Sequence, residues 1–548
     1  MKIKKTIIKK ISLITIFLVI YIVGSFFILT VPSSVKISYN LSINTSDGET
    51  ISFNVFEPRG RETELKKAVI IAHGFMASKE FMKGYAIELA AAGFVAVTFD
   101  FRGHGQSTGI LENNKLINDV LAIKAYLNSR SDIDINNLGY IGYSMGGGPG
   151  NQIVNEDKAF KALILVGSWL DTAVRRGNQT NPLNVLIIQA KFDEVVDLNL
   201  NKQSIANRTG ELISSINVDQ LYGCFSTGNA SEIYLDDNSN HLAVAWDTDF
   251  SRQARDFIIN TFPDVIPVDE NFYANLRLLI LIIQIIGALG FFITLIGPVS
   301  KLILKDEEEK LKTRKELDLG EINTVKFSIL LFCSSLLLGI PGMILMLIIN
   351  LAFGLALESF VLSLVFGMSF GILVFLYIKS RKSKISFWTI LKHPFQVSKM
   401  ILAKQIIIGV VFAILLYVLL YFSLGLNYIA LVPSITKIVW IPVYLALAFI
   451  VFLPINITYQ KILQEKFKED KLRIIKISLL LFSTMFLYQL IYLLFFSILL
   501  RNWFYFGIMI PISIPMFLLY SFTSSIFYTK TKSIIPGILV NITYFIFY

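Results

Sequence analysis

Leu138-Gly139-Tyr140-Ile141-Gly142-Tyr143-Ser144-Met145-Gly146-Gly147-Gly148-Pro149 decides how this chain is read. Its centre, Gly142 to Gly146, has the pattern G-x-S-x-G. A serine there sits on a sharp turn between a strand and a helix, with its hydroxyl lifted clear of the sheet. Glycines on either side let the two backbones approach closely. The apolar run Leu138–Ile141 supplies the strand, so the setting matches the pattern. A turn of this kind belongs to covalent chemistry in water, which is unexpected in a chain that is otherwise so apolar.

Working outward, residues 32–270 alternate strand and helix signals. Ile37, Tyr39, Leu41 and Ile43 alternate with polar residues, Asp47-Gly48 makes a turn, and Ile51, Phe53 and Val55 alternate back. That is a hairpin. Continuous apolar runs follow at 68–72, 94–99, 138–141, 162–166 and 185–188, with a last strand at 232–235. Helical patterns lie between them, at 79–91 (ended by Gly93) and 117–127, with a last one at 250–261. Fully apolar strands alternating with helices imply an α/β domain, its mostly parallel sheet covered on both faces.

The rest is membrane-like. The chain has 548 residues, 54% of them hydrophobic, and a formal net charge of +10. Residues 32–270 hold 20 Lys/Arg and 29 Asp/Glu, a net of −9, so the remainder carries +19. The start, Met1-Lys2-Ile3-Lys4-Lys5 with Lys9 and Lys10, leads into an uncharged run from Ile11 to Val31. A signal peptide has a shorter apolar core, roughly 7–15 residues, and a small-residue cleavage site. Residues 1–31 therefore read as an uncleaved transmembrane anchor. From 271 to 548 an all-α polytopic domain of about eight spans is expected, near 276–298, 327–352, 357–378, 406–430, 437–458, 477–499, 503–527 and 534–548. Basic connections at 301–326, 379–404, 461–476 and 530–532 alternate with connections of little charge. Positive charge marks cytoplasmic loops. The reading is a multi-pass protein of the cell membrane, with a cytoplasmic N-terminus, an extracytoplasmic 32–270 domain and the lipid bilayer as its partner. The acidic domain shows no interleaving of basic and aromatic residues, so nucleic acid is set aside. The two cysteines, Cys224 and Cys333, are not expected to pair.

A serine hydroxyl needs a base, and the base needs a third group to orient it. The chain has four histidines. His393 falls in a predicted cytoplasmic connection, and His73 and His104 precede the serine. His241 follows the last predicted strand, which gives the order serine, acid, histidine. For the acid, Asp193 lies at the mouth of the strand 185–188. Asp171 follows the preceding strand and is the alternative; Asp197, Asp236 and Asp237 read as solvated surface groups. Acyl transfer also needs donors aimed at the oxygen that becomes negative. The backbone N–H of Met145 is one, and that of Phe75, on the loop after the third strand, is the other.

Ala68-Val69-Ile70-Ile71-Ala72-His73-Gly74-Phe75, Phe99-Asp100-Phe101-Arg102-Gly103-His104-Gly105-Gln106-Ser107 and Gly142-Tyr143-Ser144-Met145-Gly146 together resemble the α/β-hydrolase superfamily. More narrowly they resemble its serine aminopeptidase S33 or monoacylglycerol-lipase-like branch. The resemblance covers about 36–262. It implies an α/β-hydrolase fold with Ser144, Asp193 and His241 as the triad, and it makes Asp100–Ser107 a structural turn. It implies no metal or cofactor. Only about 18 residues separate the strand ending at Val166 from the one starting at Val185, so the large helical cap of some members is not expected, and the site should be open. The expected activity is a membrane-anchored serine hydrolase that cleaves esters, lipid esters among them. A peptidase acting on amides is the alternative. A transport or scaffold protein whose domain only binds is the reading from another class. The substrate is a small molecule, a lipid or a peptide. Ile455–Lys461 and Ser533–Asn541 faintly resemble helices of the CAAX-protease-like intramembrane family, with Ile455, Asn456 and Asn541 standing where that family has glutamates and a histidine. A metal site is not expected there.

Overall fold

The computed structural model describes residues 2–61, 65–245, 247–307, 309, 311, 317, 319, 323–350, 356–467 and 469–547. Eight strands form one sheet: β1 (Val35–Asn44), β2 (Thr50–Pro58), β3 (Lys66–Ala72), β4 (Val95–Phe99), β5 (Ile133–Tyr143), β6 (Phe160–Val166), β7 (Asn184–Phe192) and β8 (Ser231–Asn240). Their order is β1-β2-β4-β3-β5-β6-β7-β8. The β1–β2 and β2–β4 pairs are antiparallel, and every pair from β4 through β3 to β8 is parallel.

The continuous apolar runs are the central strands, and period-2 alternation sends their side chains to two different cores. Ala68, Ile70 and Ala72 of β3 join Leu116, Val120 and Ile123 of α3 (Leu116–Asn128), with residues of α4 (Gly147–Glu156) and α5 (Leu198–Thr209), on one face. Val69 and Ile71 join Tyr85, Ala86 and Leu89 of α2 (Lys83–Ala91), with Phe250, Ala254 and Phe257 of α6 (Thr248–Thr261), on the other. Each fully buried Ile, Val or Leu contributes about 1.5–3 kcal/mol. Emptying one such site, as in Ile70→Ala, costs about 2–5 kcal/mol.

Local chemistry sets the helix ends. Asp197 caps α5 by accepting the Asn199 N–H, and Gly210, at φ 84°, ends it in the left-handed region that favours glycine. Helix α2 starts at Lys83, four residues later than the sequence pattern indicates. Two tight turns, Phe81 N–H to Ser78 O and Lys83 N–H to Glu80 O, occupy the interval. Lys79 is held away from a helical path because both its backbone N–H and its ammonium bond Asp100.

Eight helices are long and apolar enough to cross a membrane: Ile8–Thr30, Ala274–Glu307, Thr324–Ile349, Leu362–Lys382, Lys399–Gly425, Ile441–Lys466, Arg473–Leu500 and Phe504–Thr531, counted among the described residues. The ninth apolar run forms a helix of 13 residues, Ile535–Phe547. At 1.5 Å per residue it is about 20 Å long, short of the roughly 30 Å hydrocarbon layer.

The chain divides into two compact units. A helical unit holds residues 1–21, 286–420 and 439–548, and a sheet unit holds 22–285 and 421–438. Composition places the boundaries of the acidic domain at 32 and 270; packing draws further residues into the sheet unit. Buried Arg277, on α7 (Ala274–Leu304), donates to Ile28 O at 3.0 Å and to Asn427 Oδ1 at 3.3 Å. Gln284 Nε2 donates to Ser25 Oγ and Phe422 O. Gly24 permits that approach, since a Cβ there would lie 2.8 Å from the Gln284 Cβ.

Candidate active site

Ser144 stands between β5 and α4 at φ 50°. A non-glycine residue held there stores about 1–3 kcal/mol of strain, and such strain collects at functional sites. The flanking glycines are sterically required. A Cβ on Gly142 would lie 2.5 Å from Gly146 O, and one on Gly146 would lie 2.7 Å from His73 O. The sharp turn is also held from outside: Ser168 Oγ donates to Ser144 O at 2.9 Å, and Tyr140 Oη donates to Gly146 O at 2.8 Å.

β8 ends at Asn240 and delivers His241 onto the serine. The His241 Nε2–Ser144 Oγ distance is 2.9 Å. On the far side of the ring, Nδ1 lies 3.0 Å from both carboxylate oxygens of Asp193. The two side chains are almost wholly buried, with 3% and 1% exposure. Asp193 is fixed in turn, its Oδ1 accepting the N–H groups of Val195 and Val196 at 2.9 and 3.0 Å. Strand β7 runs on past Ile188 to Phe192, which sets Asp193 at its mouth. Three residues from three separate strand ends thus meet in one hydrogen-bonded series. With Nδ1–H donated to the carboxylate, Nε2 carries a lone pair that accepts from the serine hydroxyl.

Asp171 lies elsewhere. Its carboxylate accepts the Ala173 N–H at 2.8 Å in an exposed turn. The Asp197 carboxylate caps α5. Asp236 is buried rather than solvated: its Oδ2 lies 2.5 Å from Ser239 Oγ, which also meets Asp247 at the start of α6. The Asp236, Asp247 and Asp249 carboxylates gather there within 4.8 Å of one another. Negative charge at a helix start is stabilising by itself.

The loop bearing Phe75 lies close to the serine, since a Cβ on Gly74 would sit 3.0 Å from Ser144 Cβ. Phe75 and Met145 therefore occupy the two loops that flank the hydroxyl. His73 holds the first of these loops. Its Nδ1–H donates to Gly74 O at 2.7 Å and its Nε2 accepts the Phe101 N–H at 3.0 Å. Burial drives its pKa down to about 3, so the ring stays neutral and keeps both roles. His104 packs its ring 5.0 Å from that of His73. His393 sits in a short turn of the helical unit, remote in the chain from the sheet.

Three contributors escaped the sequence reading. Ser168 follows a glycine at the end of β6, and that strand's place beside β5 is what aims it at Ser144. Tyr143, the variable residue of the motif, donates its hydroxyl to His241 O at 3.0 Å. Glu194 accepts the His241 N–H at 3.3 Å, and burial raises its carboxyl above the usual range. No spacing rule signals any of them.

Residues 63–226 match the family model described as serine aminopeptidase, S33. Together with the sheet order, this gives the segment an α/β-hydrolase fold. An Escherichia coli K12 protein, the uncharacterized protein YcjY, is 31% identical over 150 residues, which are 26% of this chain and 49% of that protein. An E. coli 31.7 kDa protein from the traX-finO intergenic region is 28% identical over 125 residues, 22% of this chain and 42% of its own length. The chain spans about half the length of the curated relatives it matches. Among solved structures, the Pyrococcus furiosus esterase Pf2001 aligns at 17% identity with a TM-score of 0.33, over 41% of this chain and 92% of the esterase. The hypothetical protein PA2218 of Pseudomonas aeruginosa aligns at 15% identity with a TM-score of 0.32, over 42% of this chain and 94% of its own.

Proposed function

We propose that the chain is a membrane-anchored serine hydrolase that cleaves carboxylic esters through an acyl-enzyme on Ser144. The observation that carries this reading is the series Ser144 Oγ–His241–Asp193, with spacings of 2.9 and 3.0 Å. In the forward step Ser144 Oγ attacks the carbonyl carbon, and its proton passes to His241 Nε2. Asp193 holds Nδ1–H and stabilises the imidazolium that forms. The N–H groups of Phe75 and Met145 receive the negative oxygen of the tetrahedral intermediate. Collapse expels the alcohol, which takes the proton from Nε2. Water then repeats the sequence on the acyl-enzyme, releasing the acid and restoring the serine.

An ester with an apolar acyl group suits the surroundings. Phe75 lies on the loop beside the serine, Trp169 follows Ser168, and Val195 donates its N–H to Asp193; the three side chains are 42%, 50% and 39% exposed. The connection from β6 to β7 holds no helix among the described residues, which supports an uncapped mouth. The amide-cleaving alternative is favoured by one observation, the aminopeptidase description of the matching family. The lysine-rich N-terminus and the basic connections support a cytoplasmic N-terminus, with the 32–270 domain on the outer face.

Ser144→Ala tests the assignment. It should abolish labelling by a fluorophosphonate and lower kcat by roughly 10⁴-fold or more. Undiminished labelling would remove Ser144 from the mechanism. Labelling of intact cells by an impermeant probe tests the topology, and faster turnover of aminoacyl amides than of acyl esters would reverse the substrate order.

A further inference from the structure

The loop that carries Phe75 is held from behind by the turn Asp100–Ser107. His73 Nε2 accepts the Phe101 N–H, Asp100 Oδ1 accepts the Lys79 N–H at 2.8 Å, and Asp100 Oδ2 accepts both the Lys79 ammonium at 2.7 Å and the Gln106 N–H at 3.0 Å. The His104 ring of the same turn meets the Phe75 ring edge-on at 6.2 Å. Any displacement of this turn is therefore passed to Phe75 through a buried ion pair and packed rings.

The turn is itself held by residues more than 300 positions away. Ser434 N–H donates to Gly105 O at 3.1 Å, and Lys437 Nζ lies 3.4 Å from the same oxygen. The segment Tyr421–Ile438, which supplies both, belongs to the sheet unit, although it joins two membrane-crossing helices. Its other end reaches Lys83, where the chain leaves the loop and enters α2. Lys83, the first residue of α2, is fully buried, and its ammonium donates to Leu426 O at 2.8 Å, Asn427 Oδ1 at 3.0 Å and Tyr39 Oη at 2.9 Å. Asn427 is oriented by donating its Nδ2–H to Ser423 O at 2.7 Å. The Phe75 loop lies in the chain between His73, which is tied to the Asp100 turn, and Lys83. The segment 421–438 grips both supports.

We propose that Tyr421–Ile438 braces the oxyanion loop, and that Lys437 and Asn427 are positioning residues for acyl transfer. The proposal rests on the serine-hydrolase reading. Oxyanion donors act mainly on the transition state, and losing one outright costs about 10²–10³ in kcat. A brace that only keeps such a donor in place is worth less, roughly tenfold. The brace makes turnover at the sheet unit depend on a segment that the chain continues, on both sides, into helices long and apolar enough to cross a membrane.

The test uses the full chain in detergent or bilayer discs, with an acyl ester as substrate and active sites titrated by the acylation burst. Lys437→Met and Asn427→Leu should each lower kcat per titrated site by roughly tenfold, with KM changed less than about threefold, and Lys437→Arg should restore most of the rate. A merely structural role would reduce the number of titrated sites and leave kcat per site alone. If Asn427→Leu does not fold, the Lys437 pair decides. Unchanged kcat per site in the folded variants overturns the brace. Wild-type activity that survives Ser144→Ala overturns the serine reading instead, so the two failures are told apart.

Discussion

In the sheet unit, Lys79 and Asp100 have side chains with no solvent exposure, and they face each other at 2.7 Å. Asp100 also accepts the backbone N–H groups of Lys79 and Gln106. In the helical unit, Gln405 and Gln460 are as deeply buried, yet neither side-chain amide meets a partner among the described residues. The backbone explains part of the difference. A helix satisfies its own N–H and C=O groups, so the backbone of a membrane bundle needs no hydrogen bonds from side chains. Loops around a sheet do not, and their carbonyls and amides must be met by side chains such as Asp100 and His73. The buried Lys79–Asp100 pair is thus structural wiring behind the loop that lies beside the serine. Buried polarity in the helical unit includes the Glu307 carboxylate, which meets Lys404 at 3.4 Å, and amides that are only partly tied down: Asn456 donates to Tyr520 Oη at 2.7 Å while its own Oδ1 has no partner among the described residues.

The sharpest way to break this comparison is to remove one end of the wiring. Lys79→Met leaves the Asp100 carboxylate buried without its counter-ion. Removing one partner of a buried pair costs about 3–5 kcal/mol. The unfolding midpoint of the variant should fall accordingly, and fluorophosphonate labelling should slow as the Phe75 loop loosens. A midpoint within about 0.5 kcal/mol of wild type would mean that the pair is no more structural than a surface contact.

Glu88 is the intermediate case. It is a buried carboxylate in the sheet unit whose compensation is incomplete. Oε1 accepts the Tyr273 N–H at 2.9 Å, Arg255 stands 4.0 Å from Oε2, and Oε2 has no hydrogen bond among the described residues. Burial outweighs those contacts and pushes its pKa up to about 7, from an ordinary value of 4.5. Between those values the folded state binds the proton more tightly than the unfolded chain does. Glu88's contribution is therefore fully present below about pH 4.5 and is lost as pH rises through 7. The loss is about 3 kcal/mol at most. Denaturation followed from pH 5 to 8 should show this decline, and Glu88→Gln should flatten it. An equally steep decline in the variant would place the titrating group elsewhere.

The same contrast explains what the sequence disclosed. The parallel strands were legible because a strand buried on both faces must be apolar along its length, as Ala68–Ala72 and Ala162–Val166 are. The serine was legible because its turn admits only glycine at Gly142 and Gly146. Asp193 and Asp171 both follow strands, and chain order alone does not separate them. What separates them is the extension of β7 to Phe192, which carries one carboxylate to His241 and leaves the other in a turn. The brace was not legible at all. Residues 421–438 read as the end of one span and the start of the next, and Gly105 lies more than 300 residues away. Partners so distant in the chain leave no local pattern. Nor does a local pattern mark Lys83, which sits in a predicted helix like any surface lysine and proves to be fully buried.

The smallest effect is expected where wiring is absent. Gln460 lies in a π-helical stretch, Ile457–Leu463, fully buried, with both its Oε1 and Nε2 unmet among the described residues. An unpaired amide out of water costs about 1–3 kcal/mol in proteins. Leucine is of similar size and carries no polar atom. Gln460→Leu should therefore stabilise the full chain by about 1 kcal/mol in detergent, read as a raised unfolding midpoint, with kcat per titrated site unchanged. Destabilisation of the same size would show that the amide is paired in the working protein. The helical unit would then hold a polar network as complete as that of the sheet unit, and the contrast between the two would disappear.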